Sequence, residues 1–246
     1  DPKSASLCTV AAIALQGLRQ ADAKIGEFVA VIGLGLIGQI TMNLVSAAGC
    51  TPVGFDVNKG NVDFAIKNGY NAFKRDEVSL LSKIDSITNG FGFDSCIITA
   101  SSKSSDPVDF ASEILRDKGK ITVVGAVNLS FQRKPLYDKE LSVNISRSYG
   151  PGRYESNYED KGLDYPIGYV RWTENRNMKS ILRLLESGSL DFNKLITDTY
   201  LFSDAIEAYK SLKNKNKTTI GVVFKYSDNI KLDKSITLSN RNSKPS

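Results

Sequence analysis

Apolar residues Leu7, Val10, Ile13, Ala14 and Leu18 recur at helical spacing over residues 7–21. The pattern then changes character. FVAVIGLG, from Phe28 to Gly35, is a continuous apolar run of the kind that forms a buried strand. Helical spacing resumes in LIGQITMNLVSAAG, with Ile37, Ile40, Met42, Leu44 and Val45 on the apolar side and Gly49 as the stop. A second strand is predicted in TPVGFDV (51–57) and a further helix in NKGNVDFAIKNG (58–69). Beyond it the pattern predicts a helix in DEVSLLSKIDSITNG (76–90), a strand in FDSCIITAS (93–101) and a helix in DPVDFASEILRDKG (106–119). That last helix has an Asp-Pro start and a Gly stop. KITVVGAV (120–127) is the next strand, and ELSVNISRS (140–148) alternates as a half-exposed edge strand does. Strands separated by helices of this length predict an α/β fold, a Rossmann-type doubly wound parallel sheet.

Residues 149–177 break the rhythm. They are rich in Gly, Pro, Tyr and charge, and read as a long ordered loop. An amphipathic helix (NMKSILRLLESGSL, 177–190) follows, then SDAIEAYKSLKN (203–214) with Ser203 or Asp204 as cap, then the closing strand TTIGVVFKY (218–226). From Ser227 onward the chain is polar, as a linker or tail is. No repeat with a period of 20 to 50 residues is visible.

The glycines between the first strand and its helix carry the candidate chemistry. Gly33 would allow the tight turn, Gly35 the close approach of a pyrophosphate, and Gly38 the packing of helix on sheet. Leu36 and Ile37 would aim free amides and the positive helix end at the phosphates. Asp56, at the end of the second strand, is positioned to take the ribose hydroxyls, with Val57 beside it. Its charge disfavours a 2′-phosphate, so NAD is favoured over NADP. Lys59 reads either as a cofactor contact or as a solvated surface lysine. Thr99 and Ala100, then Gly125, Ala126 and Val127, stand at strand ends where the nicotinamide half would lie.

Composition narrows the chemistry. The 246 residues contain no histidine, so a Ser-His-Asp triad or a histidine base is excluded. The three cysteines are scattered, and neither they nor any other residues stand at metal spacing, so no metal site and no catalytic residue is assigned. Such thiols suit a reduced, cytoplasmic protein. A net charge of +5 without a dense basic run argues against nucleic acid, and no apolar stretch reaches membrane-spanning length. The chain starts without Met and without the layout of a secretory signal.

The stretch AAIALQGLRQADAKIGEFVAVIGLGLIGQI resembles the cofactor domain of the medium-chain, zinc-type alcohol dehydrogenases, and the likeness runs from about residue 5 to 225. The segment SRSYGPGRYESNYEDKGLDYPIGYVRWTENRNM is similar to a bacterial subgroup of two-part oxidoreductases. In that subgroup the unit precedes a second dehydrogenase domain, similar to glucose–fructose oxidoreductase, and members are often linked with surface polysaccharide metabolism. The resemblance implies a dehydrogenase that takes a small-molecule substrate, a sugar or sugar nucleotide. It also implies that the zinc and proton relay belong to an N-terminal domain missing from this sequence, so the chain alone is expected to be inactive. On this reading residues 1–23 are a remnant of the catalytic domain, 24–177 the NAD-binding domain, 178–226 remnant helices and strand, and 227–246 the tail. The edge strand 140–148 either pairs with a second copy in a homodimer or is covered by a loop or the tail.

Two readings stay beside these. One is a non-catalytic, nucleotide-binding regulatory or redox-sensing module; the other is a methyltransferase. In the loop, Arg147, Arg153, Arg171 and Arg176 either grip a phosphorylated or nucleotide-linked sugar or brace the loop through Arg–Glu pairs and aromatic packing. The bracing role is the favoured expectation.

Overall fold

A computed structural model of the protein describes residues 1–212 and 218–226. Asp1 caps the short helix α1 (Pro2–Ala5) by accepting from the Lys3 and Ser4 amides. Helix α2 (Cys8–Ala21) leads to strand β1 (Phe28–Ile32), which hands over through the glycine turn to α3 (Leu36–Ala47). Strand β2 (Thr51–Asp56), helix α4 (Lys59–Lys67), strand β3 (Asn71–Lys74) and helix α5 (Leu80–Thr88) follow. The second half of the sheet comprises β4 (Phe93–Ile98), α6 (Asp106–Ile114), β5 (Leu115–Val123), α7 (Arg133–Asp138) and β6 (Ser142–Ile145). The chain then runs through α8 (Ser156–Glu159), α9 (Glu174–Glu186), β7 (Ile196–Leu201), α10 (Ala205–Ser211) and β8 (Gly221–Lys225).

Six strands form one sheet in the order β3-β2-β1-β4-β5-β6, and every pairing is parallel. This is the doubly wound arrangement, with its switch of strand order between β1 and β4. β7 and β8 pair in a separate two-stranded parallel sheet.

Each face of the large sheet has its own core. On one face, Ala11, Ala14 and Leu18 of α2 pack with Ile40 and Leu44 of α3, Ile181 of α9, and Phe192 and Leu195. On the other, Phe55 meets Phe93 and Phe110 edge-on, at ring-centre distances of 5.8 and 5.2 Å. Edge-on pairs of this kind contribute about 0.5–1.5 kcal/mol each beyond simple burial. Phe55 directly precedes Asp56, so this aromatic trio fixes the end of β2 where the candidate acid stands.

Several boundaries differ from the sequence pattern. The helix expected over 106–119 ends at Ile114, because Leu115 already pairs with Phe93 in the sheet. The register between β4 and β5 then shifts before Lys120 meets Ser95. α9 starts at Glu174, three residues before the expected Asn177, and ends at Glu186. α10 runs from Ala205 to Ser211 with Asp204 at its N-cap, but the Asp204 side chain makes no capping bond. β3, α7 and β7 lacked a readable pattern. The polar tail from Ser227 lies outside the described residues.

Candidate functional site

At the end of β1 the backbone turns so sharply that Gly33 takes a φ of +99°. A Cβ there would stand 2.5 Å from the Ala100 amide nitrogen, so both conformation and space demand glycine. Gly38, in the first turn of α3, is equally constrained: its Cβ would lie 1.8 Å from the Gly33 carbonyl oxygen. Gly125 closes the far side, where a Cβ would stand 2.0 Å from the Ala100 oxygen.

Gly35 is different. Its φ is −68°, which any residue adopts, and a Cβ would meet no atom of the described residues within 4 Å. Nothing in the fold requires glycine there. The unfilled space lies at the N-cap of α3, where the amides of Leu36, Ile37 and Gly38 have no carbonyl partner inside the helix.

Asp56 belongs to the same turn. Its Oδ2 accepts from the Leu34 amide at 2.6 Å and from Asn61 Nδ2 at 3.1 Å, and its Oδ1 accepts from the Asn58 amide at 2.7 Å. A carboxylate offers about four acceptor positions, so at least one remains for a ligand hydroxyl. Two other side chains brace the loop. Gln39 Nε2 donates to Leu34 O and Asn61 O, at 3.1 and 3.2 Å, and Thr99 Oγ1 donates to Gly33 O at 2.5 Å.

A cleft of about 620 Å³ opens over this turn. Gly33, Gly35, Asp56, Val57, Thr99 and Ala100 all line it. The remaining candidates sit outside the lining. Leu36, Ile37 and Gly38 form the helix start beside it. Ala126 and Val127 are tied to Ser102, by the Ser102 amide bond to Ala126 O and a bridge to Val127. Lys59 turns back to pair with Asp63 on its own helix.

The cleft also has walls that the sequence reading missed: Asn61, Arg75, Ser101, Ser102, Ser104 and Asp106. Arg75 reaches Asp106 at 3.0 Å and lies over Phe110, 4.0 Å from the ring centre. The run of serines directly after β4 was the available signal, since loops at the carboxyl ends of parallel strands line ligand sites. A larger hollow, about 970 Å³, lies at the opposite end of the sheet between Phe28, Phe91 and Arg116. It borders the amino ends of β1 and β4 and shares no residue with the glycine turn.

The long loop sorts its arginines. Arg153 pairs with Glu159, and Arg176 with Asp164 at 2.7 Å and with the carbonyls of Val170 and Tyr165. Arg153 thus makes the expected Arg–Glu pair, whereas the acid that holds Arg176 is an Asp. Arg147 and Arg171 instead lie over Tyr154 and Trp172 with no carboxylate partner among the described residues.

The zinc-binding dehydrogenase family profile matches residues 37–160. A D-guloside 3-dehydrogenase of Escherichia coli K12 is 28% identical over 209 residues, which cover 84% of this chain and 57% of that protein. The chain thus spans little more than half the length of the curated relatives it matches. An alcohol dehydrogenase of Thermus sp. ATN1 superposes with a TM-score of 0.73 at 19% identity, over 92% of this chain and 59% of its own. An E. coli CFT073 alcohol dehydrogenase in complex with NADH (TM-score 0.67, 17% identity) covers 88% of this chain and 57% of its own. A Sinorhizobium meliloti zinc-binding dehydrogenase bound to NADP (0.65, 17%) covers 88% and 58%.

Proposed function

The chain belongs to the zinc-binding dehydrogenase family, and from that premise we propose that it is the NAD(H)-binding portion of an alcohol dehydrogenase-like oxidoreductase acting on a sugar or sugar nucleotide. The observation that carries the reading is Gly35, whose missing side chain leaves space at the start of α3 that no protein atom needs. A pyrophosphate there would accept hydrogen bonds from the Leu36 and Ile37 amides and gain from the positive end of the helix. Asp56 would take a ribose hydroxyl on its remaining acceptor position. Its negative charge supports NAD over NADP, although relatives have been solved with each. Val57, Thr99 and Ala100 would border the dinucleotide, and Gly125, Ala126 and Val127 would lie beside its nicotinamide half. Lys59, held on Asp63, would stay in solvent.

When bound, the nicotinamide supplies hydride transfer; the residues here bind and orient it. The described residues do not fit the family's zinc. The sequence has no histidine, and among the described residues no three His, Cys, Asp or Glu side chains gather where they could hold a metal. No chemical step is therefore assigned to a metal, and the chain as it stands is proposed to bind cofactor without turning over an alcohol. The division at residues 23, 177 and 226 is part of the same proposal, with 1–23 and 178–226 as pieces of a catalytic domain and 227–246 as a linker or tail. A sugar-type substrate is supported by the D-guloside 3-dehydrogenase relative. β6 is an edge strand with Ile145 exposed, which supports pairing with a second copy. No helix among the described residues is long and apolar enough to cross a membrane, and the three free cysteines support a cytoplasmic setting.

Fluorescence titration with NADH and NADPH tests the reading. Saturable NADH binding, tighter than NADPH, is expected; no binding of either nucleotide would overturn it, and tighter NADPH binding would overturn the preference.

A further inference from the structure

Trp172 is the one tryptophan in the sequence, and two arginines from distant parts of the chain are stacked on it. Arg19 of α2 places its guanidinium carbon 3.4 Å from the indole centre, and Arg171 places its own at 3.8 Å. Two planar cations this close to one ring centre cannot share a face without overlapping, so they lie on opposite faces. The indole's negative π surfaces stabilise each cation. They do not cancel the repulsion between them.

What is missing is a counter-charge. Arg153 on the same segment and Arg176 in the first turn of α9 each have a carboxylate. Among the described residues neither Arg19 nor Arg171 takes part in an ion pair. Arg19 uses only its side-chain Nε, which donates to Asn177 Oδ1 at 2.8 Å. Arg171 is held through its carbonyl, which accepts from Arg176 Nη1, and its guanidinium makes no hydrogen bond among the described residues. Burial, and then the like charge of Arg171, push the Arg19 guanidinium down to about 10, so its charged form is held at a cost. It is still charged at neutral pH. Arg171 is exposed and Arg19 and Trp172 are half-buried, so the unused donors are reachable from solvent. They belong to neither the cleft over the glycine turn nor the hollow at the opposite end of the sheet.

We propose that Arg19 and Arg171, clamped on the two faces of Trp172, form a binding site for an oxyanion carried by a small molecule, a phosphoryl or carboxylate group. Guanidinium donors suit both groups, because each presents paired oxygens to a planar fork of N–H groups. Neutralising the pair removes the repulsion across the indole. It also ties the 146–173 segment to α2, since Trp172 is on the first and Arg19 on the second. The site stands apart from the dinucleotide cleft, so it does not depend on the cofactor reading.

Trp172 supplies its own probe. The purified chain is titrated at constant ionic strength with inorganic phosphate and, separately, with glucuronate, sodium chloride serving as the reference, while tryptophan emission is read. A saturable change with phosphate, glucuronate or both is expected, and the stronger of the two identifies the group. Arg171→Gln, at an exposed position, should weaken that binding at least tenfold while leaving NADH affinity unchanged. Arg19→Lys, which keeps the charge but loses the planar fork, should weaken it less than Arg171→Gln. No saturable change with either anion, or an unaltered titration in Arg171→Gln, would overturn the proposal. Failure of NADH to bind beside a normal anion titration would count against the cofactor reading alone.

Discussion

Replacing Gly35 with Ala separates what the fold needs from what a ligand needs. The new methyl meets no protein atom within 4 Å, and the backbone stands at φ −68°, so it introduces neither clash nor strain. Alanine is a poorer N-cap than glycine, which costs about 0.5–1 kcal/mol. In a chain of this size that lowers Tm by no more than about 4 °C. The same methyl occupies the space where a pyrophosphate oxygen must approach the α3 amides. Losing one charge-assisted hydrogen bond costs about 1.5–3 kcal/mol, which weakens NADH binding roughly tenfold to a hundredfold. Gly38→Ala is the contrast. Its methyl would lie 1.8 Å from the Gly33 carbonyl oxygen, so helix and strand must separate by at least about 1.6 Å to restore ordinary contact. The overpacking cost of about 1–3 kcal/mol outweighs a helix-propensity gain of about 1 kcal/mol, and Tm and affinity should fall together. Thermal unfolding paired with NADH titration of both variants gives the comparison. Unchanged NADH affinity in Gly35→Ala would refute the argument, as would a collapse of its stability to the Gly38→Ala level.

Asp56→Asn should lower NADH affinity about tenfold while NADPH affinity holds or rises, because the charge facing the 2′ position is gone; equal losses for both nucleotides would show that Asp56 only braces the loop. Glu174 is 7% exposed with Oε2 unpartnered among the described residues, and burial, followed by the charge of Glu159, raises its pKa above the ordinary 4.5. The folded state therefore holds a proton that the unfolded state releases, and stability falls as pH rises from about 4.5 through the raised value. Glu174→Gln should be the more stable form at neutral pH, with the advantage gone below pH 4.5; urea midpoints at several pH values check the sign. Asn177 donates to Gln16 Oε1 and Tyr149 O and accepts from Arg19 Nε, at 2.8–3.1 Å. Asn177→Leu leaves those groups unpaired and should cost at least about 2 kcal/mol in urea unfolding, and a smaller loss would mean the network contributes little.

The sequence made β1, α3 and β2 legible because their signals are local: an apolar run, three glycines at fixed spacing, and an acid closing the next strand. β3 left no such trace. It is four residues long at the sheet edge, and of NAFK only Ala72 is buried. The end of α6 misled because EILRDKG reads as helix, whereas pairing of Leu115 with Phe93 draws it into the sheet. Within the site, Gly33, Gly35 and Asp56 follow from spacing alone. Arg75 and Asp106 do not, since they meet only when β3 and α6 are brought to the same end of the sheet. For the same reason the loop's arginines could be singled out as a group but not told apart. Which of them has an acid within reach depends on how the loop folds back, and Arg19 lies far outside it in sequence.

The central claim is that a dinucleotide's phosphates rest on bare amides at the start of α3. A crystal structure of the chain soaked in NADH tests it most directly. The account predicts pyrophosphate oxygens about 3 Å from the Leu36 and Ile37 nitrogens and a ribose hydroxyl on Asp56. NADH bound elsewhere, with Gly35 facing only solvent, would contradict it.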